Sequence, residues 1–217
     1  MDKSPRTSGR PGRGDTRLAA LSDGVFAIAL TLLVLDISIP PGLGSEDFHS
    51  ELRQALPNLG AYALSFAVLA QFWRDQYYVL TATPDTDDTV VHLALLGLAL
   101  VALMPFTTAV LAEYAYTQPL AVAVYAAGAA AVNAVHLALL RRAHRRTPAG
   151  ADVPSSAALR RLNMADLGAS AAIFAATVPI AFLSPTAGML CWIAIIPLKA
   201  VVAQRQVRID RRARSEA

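Results

Sequence analysis

Four stretches of this chain contain no lysine, arginine, aspartate or glutamate: Gln54 to Trp73, Thr89 to Ala112, Tyr114 to Leu140 and Leu167 to Leu198, of 20, 24, 27 and 32 residues. A helix on the surface of a soluble domain cannot sustain such a run, because it must show water a polar face. A bilayer core about 30 Å thick takes about 20 apolar residues of helix, so the first three runs can each hold one span. The fourth is long enough only for a hairpin of two, with Leu183-Ser184-Pro185-Thr186-Ala187-Gly188 as its turn. Charged residues are 16% of the chain, against about a quarter in a soluble domain. The class this implies is an all-α integral membrane protein.

A sixth span comes first in the chain. Leu18 to Ile39 is apolar over the right length although it carries Asp23 and Asp36, and Pro40-Pro41-Gly42 stops it. Its apolar run is too long for a signal sequence and no small-residue cleavage site follows, so it is expected to stay in the protein. The predicted helices are 18–39, 57–79, 89–111, 119–140, 162–183 and 186–203, forming a transmembrane domain over 17–205 between basic tails at 1–16 and 206–217. With the N-terminus in the cytoplasm, 18 of the 19 Lys and Arg residues fall on that side and only Arg53 lies outside. This predicts cytoplasmic N- and C-termini.

The net charge of +3 and pI near 9.3 therefore follow from topology. The runs Arg141-Arg142-Ala143-His144-Arg145-Arg146 and Arg208 to Arg214 are expected to lie against anionic lipid headgroups. They are not interleaved with aromatic residues, so no nucleic-acid partner is expected. The single cysteine, Cys191, cannot form an intrachain disulfide, and His49, His92, His136 and His144 lack metal-ligand spacing. No nucleotide-binding or nucleophile motif is present. The reading is of a protein that is not an enzyme and has no metal site and no cofactor. Alanine- and arginine-rich usage suggests a bacterium with a GC-rich genome, and so a multi-pass protein of the bacterial plasma membrane.

Ionisable groups inside a span are functional candidates. Asp23 lies about one turn inside the cytoplasmic end beside Ser22, with Arg17 at the interface; bracing of neighbouring helices is the expected role. Asp36, near the outer end, either faces the headgroups or concentrates cations at a pore mouth. At 100° per residue the helix presents three stripes: Leu21, Gly24, Ile28, Thr31 and Leu35; Asp23, Ala27, Leu30 and Val34; and Ser22, Phe26, Ala29, Leu33 and Asp36. Periodicity alone does not say which stripe is core. Elsewhere, hydroxyls such as those of Thr107 and Thr177 are expected to satisfy carbonyls freed by Pro105 and Pro179. Asn133 and His136 are expected to bond between helices, and Asp166 to pair near Arg160 and Arg161.

The segment from Arg17 to Ile37, with Ser22-Asp23, Val25-Phe26-Ala27-Ile28-Ala29 and Thr31-Leu32-Leu33-Val34-Leu35, closely resembles the first helix of the transmembrane protein 175 family of potassium channels. Ser65-Phe66, Phe72-Trp73 and Leu103-Met104-Pro105-Phe106-Thr107 extend the resemblance over about 17–114. It implies a homotetramer whose first helices line a central pore conducting K+, with Ile28 the narrowest apolar ring, Thr31 a hydroxyl layer and Leu35 a second apolar ring. It also implies a polar network bracing the pore helix, of which Arg17, Ser22, Asp23 and Trp73 remain. Leu21 stands where the family has Phe, Gln76-Tyr77 where it has His-His, and His92 where it has Asn. Two other classes stay open: a proton-coupled cation transporter using Asp23, and a non-conducting membrane scaffold.

Overall fold

The computed structural model describes residues 13–208 apart from 36, 38, 43, 82–86, 147–153 and scattered positions from 194 onward. Seven helices follow one another: α1 (Arg13–Leu32), α2 (Ser45–Gln54), α3 (Leu56–Thr81), α4 (Asp88–Tyr114), α5 (Pro119–Arg146), α6 (Pro154–Leu183) and α7 (Pro185–Ile193). Beyond α7 the described positions up to Arg208 are also helical. No described residue is in a strand. Four helical stretches are long and apolar enough to cross a membrane: Asp47–Thr81, Asp88–Tyr114, Pro119–Arg145 and Ala157–Leu183.

The first helix departs from expectation at both ends. It begins at Arg13 and stops at Leu32, seven residues before Ile39. Beyond it the amides of Val34, Leu35 and Ile37 bond the carbonyls three residues back, those of Thr31, Leu32 and Val34, the pattern of a tightened last turn. Pro40-Pro41-Gly42 therefore follows the helix end without defining it, and Gly42 takes a positive φ of 82°, open to glycine without strain. The short α2 was not expected at all.

At the other end of the chain, Ser184 alone separates α6 from α7. Its hydroxyl accepts the amide of Ala187 at 3.3 Å, and Pro185 occupies the first helical position, where a missing N–H costs nothing. Asp87 caps α4 in the same way, accepting the Val90 amide at 3.0 Å, and also holds Arg142 of α5 in an ion pair.

Helix α5 is the centre of the bundle, packed most extensively on α6 and α4. Its small face admits close neighbours; a β-carbon at Gly188 of α7 would meet Ala181 Cα of α6 and Val122 Cγ1 of α5, each at 3.3 Å. Tyr125, wholly buried, belongs to one core cluster with Phe26, Leu69, Met104 and Phe174, and its ring centroid lies 5.1 Å from that of Trp192. A chain of hydroxyls crosses this core: Thr108 donates to Ser65 at 2.9 Å, and Ser65 donates to the Tyr125 hydroxyl at 3.2 Å.

Several polar groups are placed otherwise than expected. The Thr107 and Thr177 hydroxyls donate to the carbonyls of Met104 and Ile173, and so do not serve those of Val101 and Ala175, four residues before the prolines. Asn133 Nδ2 donates to Ala129 O of its own helix at 2.9 Å. His136 sets its ring edge-on to Phe72. The partner of Asp166 is Lys199, at 2.6 Å.

Candidate functional site: the exposed face of the first helix

Helix α1 packs on α3 and α4, and among the described residues on no other helix. The stripe it gives to them is Leu18, Ser22, Phe26, Ala29 and Leu33, all at or below 8% exposure. Ser22, Phe26, Ala29 and Leu33 are the described residues of the third stripe read from the sequence, and they are core. The opposite stripe is uncovered. Ile28 is 61% exposed, Leu35 70% and Leu21 48%, and Gly24 and Thr31 beside them are exposed too. A contiguous exposed apolar patch of this kind marks a surface awaiting a partner, and in a membrane that partner is lipid or another protein helix. Leu35 sits in the turn beyond the helix end, so it is not carried on the helix itself.

Thr31 donates its hydroxyl proton to the Ile28 carbonyl at 2.8 Å. With the proton committed along its own helix, the oxygen keeps its lone pairs free to accept or to coordinate. A threonine held this way on an exposed face is an electron donor between two apolar side chains.

The end of α1 that bears Asp23 is fastened by two side-chain bonds to α3. Trp73 Nε1 donates to Asp23 Oδ1 at 2.9 Å, and Gln76 Nε2 donates to Ser22 Oγ at 3.4 Å. Gln76 is buried at 2% and so takes up a bracing position that the sequence had left as a departure from the family pattern. Tyr77 is exposed and lies near the Trp73 ring, centroids 6.3 Å apart. His92 turns back to the Asp88 carbonyl of its own helix and has no part in the bracing. Of the four expected network residues the structure joins Ser22, Asp23 and Trp73 through α3; Arg17 is exposed and outside these bonds. Asp36 lies outside the described residues.

A second polar group was not read from the sequence. Lys199 Nζ lies 2.6 Å from Asp166 Oδ2 of α6 and 3.9 Å from Asp75 Oδ2 of α3, and Gln71 donates to Asp75 Oδ1 at 2.8 Å. These partners come from three distant parts of the chain, so no spacing could reveal them. The one available signal was a lysine at the very end of a charge-free run. Among the described residues, no group of three His, Cys, Asp or Glu side chains could hold a metal ion.

The fold and this face define an all-helical, multi-pass membrane protein whose leading helix turns one stripe inward and leaves the opposite apolar stripe bare. The profile of the family described as "Endosomal/lysosomal potassium channel TMEM175" matches residues 17–105. A potassium channel of Streptomyces collinus is 37% identical over 176 residues, 77% of this chain and 82% of its own. One from Chamaesiphon minutus is 38% identical over 107 residues, 48% of this chain and 53% of its own. The crystal structure of a lysosomal potassium-selective channel TMEM175 homolog from Chamaesiphon minutus superposes with a TM-score of 0.73 at 26% identity, covering 88% of this chain and 99% of that one. The chain belongs to the TMEM175 family, a family of channels and not of enzymes.

Proposed function

We propose that this protein is a potassium channel in which the first helices of four identical subunits surround a passive, central pore. The observation that carries the reading is the bare stripe that runs along α1 and into the turn after it: Ile28 and Leu35 are 61% and 70% exposed, opposite the stripe that packs on α3 and α4. One helix cannot enclose a pore, and a bare apolar stripe is covered when copies meet around an axis. In that arrangement Ile28 forms the narrow apolar ring, Thr31 a ring of hydroxyl oxygens and Leu35 a second apolar ring, with Asp36 near the outer mouth. An apolar constriction closes by dewetting, and to pass it an ion sheds part of its hydration shell. Potassium holds water less tightly than sodium, so the barrier favours potassium, and the Thr31 oxygens return some of the lost coordination.

The finer topology belongs to the same proposal. Six spans follow from α1 and the segment from α7 onward acting as spans beside the four long apolar stretches; the 18-to-1 split of Lys and Arg then puts both termini in the cytoplasm, and alanine- and arginine-rich usage supports a bacterial plasma membrane. Arg141 and Arg145, exposed beside the paired Arg142, are then placed to meet anionic headgroups.

The test is ion flux into liposomes containing the purified protein. Potassium should enter down its gradient faster than sodium, and Ile28→Asn, which wets the ring, should raise sodium entry toward that of potassium. Unchanged discrimination in that variant sinks the assignment of Ile28; absence of any flux in the parent sinks the channel.

A further inference from the structure

The part of α3 that grips the first helix is itself gripped from its far side. Trp73 and Gln76 donate to Asp23 and Ser22 of α1. Between them in sequence, Asp75 accepts a hydrogen bond from Gln71 at 2.8 Å and lies 3.9 Å from the Lys199 ammonium. At 100° per residue Gln71 and Asp75 share one side of the helix, and Asp75 projects about 160° away from Trp73. Lys199 belongs to the helical segment beyond α7 and also holds Asp166 of α6 at 2.6 Å.

Elsewhere that side of α3 is poorly supported. The helix packs on neither α6 nor α7, and Gly60, Leu64, Ala67 and Gln71, which share the side of Asp75, line a cavity of about 620 Å³ between α3 and α7. A smaller cavity of about 240 Å³, bounded by Arg74, Tyr78 and Asn163, adjoins it. Gln71 and Lys199 line both, so these two side chains stand where the apolar space meets the polar one.

Two carboxylates share one ammonium here, and the looser of the two is the one on α3. Asp166 takes a short hydrogen bond from Lys199, whereas Asp75 Oδ2 has no hydrogen-bond partner among the described residues and is held by charge attraction. With the Lys199 and Asp75 side chains only 21% and 15% exposed, water and salt screen that attraction weakly. Without it, α3 is held by its packing on α1, α4 and α5, with empty volume beside it into which it can shift. Small displacements of a packed helix of this kind are a common way of passing a change from one contact to another.

We infer that Lys199, acting through Asp75, is a positioning residue for the first helix: it holds the 71–76 segment of α3 where Trp73 and Gln76 meet Asp23 and Ser22. The consequence for conduction rests on the proposed role of α1 as the pore helix; the coupling between the two grips does not.

The test follows Trp73 directly. The chain has two tryptophans, Trp73 and Trp192, so the full-length protein labelled with fluorotryptophan in lipid nanodiscs gives two fluorine-NMR lines, assigned with Trp192→Phe. Asp23→Ala sets the position of the Trp73 line when its acceptor is gone. Asp75→Asn keeps the side-chain size and an acceptor for Gln71 and leaves Lys199 on Asp166. It should move the Trp73 line at least halfway to that position with little change in melting temperature, and Asp75→Glu should return the line toward the parent. Should the asparagine variant fail to fold, Lys199→Met with Asp166→Asn removes the cation without stranding Asp166 and should move the line alike. Asp87→Asn, which weakens the α4–α5 ion pair of Asp87 and Arg142, is the control and should leave it in place. In liposomes, Asp75→Asn should lower potassium flux several-fold, and should lower it no further in a protein already carrying Trp73→Phe. An unmoved Trp73 line in both releases, a line moved as far by Asp87→Asn, or flux losses that multiply with Trp73→Phe would each overturn the inference. A moved line in a protein without any potassium flux would uphold the positioning and overturn the channel.

Discussion

The indole of Trp73 reaches across to Asp23 and donates to its carboxylate at 2.9 Å, joining two helices whose contact residues are 50 positions apart. Because Asp23 is exposed, the bond serves to orient α1 more than to hold a buried charge. Trp73→Phe and Asp23→Asn should each lower the thermal stability of the purified protein modestly, and the double variant should lose less than the sum. A coupling of about 0.5–3 kcal/mol is the range for side chains in contact; strict additivity in the double-mutant cycle would show that the two do not act together.

Thr31→Val keeps the branched shape and removes the hydroxyl. Its hydrogen bond is to its own helix and its side chain is exposed, so the melting temperature should stay within experimental error of the parent. Potassium flux in liposomes should fall several-fold as the oxygen layer is lost. A stable variant with parental flux would remove Thr31 from the conduction path.

Two glycines should respond in opposite ways to alanine. Gly24 on the bare stripe has open space where a β-carbon would stand, and alanine there gains helix propensity of about 1 kcal/mol. Gly188 would drive its β-carbon to 3.3 Å from Ala181 Cα, a backbone atom that cannot swing aside, and overpacking of that kind costs about 1–3 kcal/mol. Thermal melts of the detergent-solubilised protein should rise or hold for Gly24→Ala and fall for Gly188→Ala; equal shifts would mean that the α6–α7 hairpin is looser than described.

Lys199→Met should be the most damaging of the single changes. It strips the cation from Asp166, which is only 5% exposed, and breaking one side of a buried pair costs about 3–5 kcal/mol. Adding Asp166→Asn should recover part of the loss, since the stranded charge goes with it. Expression level and melting temperature of the single and double variants give the answer, and a double variant worse than Lys199→Met would show that Asp166 has a second partner.

The spans α3 to α6 were legible because the membrane itself writes the rule: a charged side chain within about 20 residues of apolar helix is costly, so its absence shows where the helix runs. The rule says nothing of α2, ten residues of which eight are polar, with no requirement to be apolar. It also overran the end of α1, because Val34, Leu35 and Ile37 are as apolar outside the helix as within it. The faces of α1 could be drawn from the helical period, which fixes angles between side chains but not the identity of the neighbour. Phe26 and Ile28 differ only in what packs against them. Lys199, Asp75 and Asp166 were out of reach for a related reason: three single charges on separate helices become a group only once the helices are placed.

The bare stripe of α1 also has a thermodynamic corollary. Where copies meet along that stripe, as proposed, a protomer whose α1 is held only to α3 and α4 has part of its folding free energy deferred to association, so its apparent stability then depends on how many copies share a membrane. Dilution into excess lipid should therefore loosen the first helix well before the rest of the bundle, and at low copy number the cell would hold a stable scaffold with a wandering leading helix instead of a finished assembly.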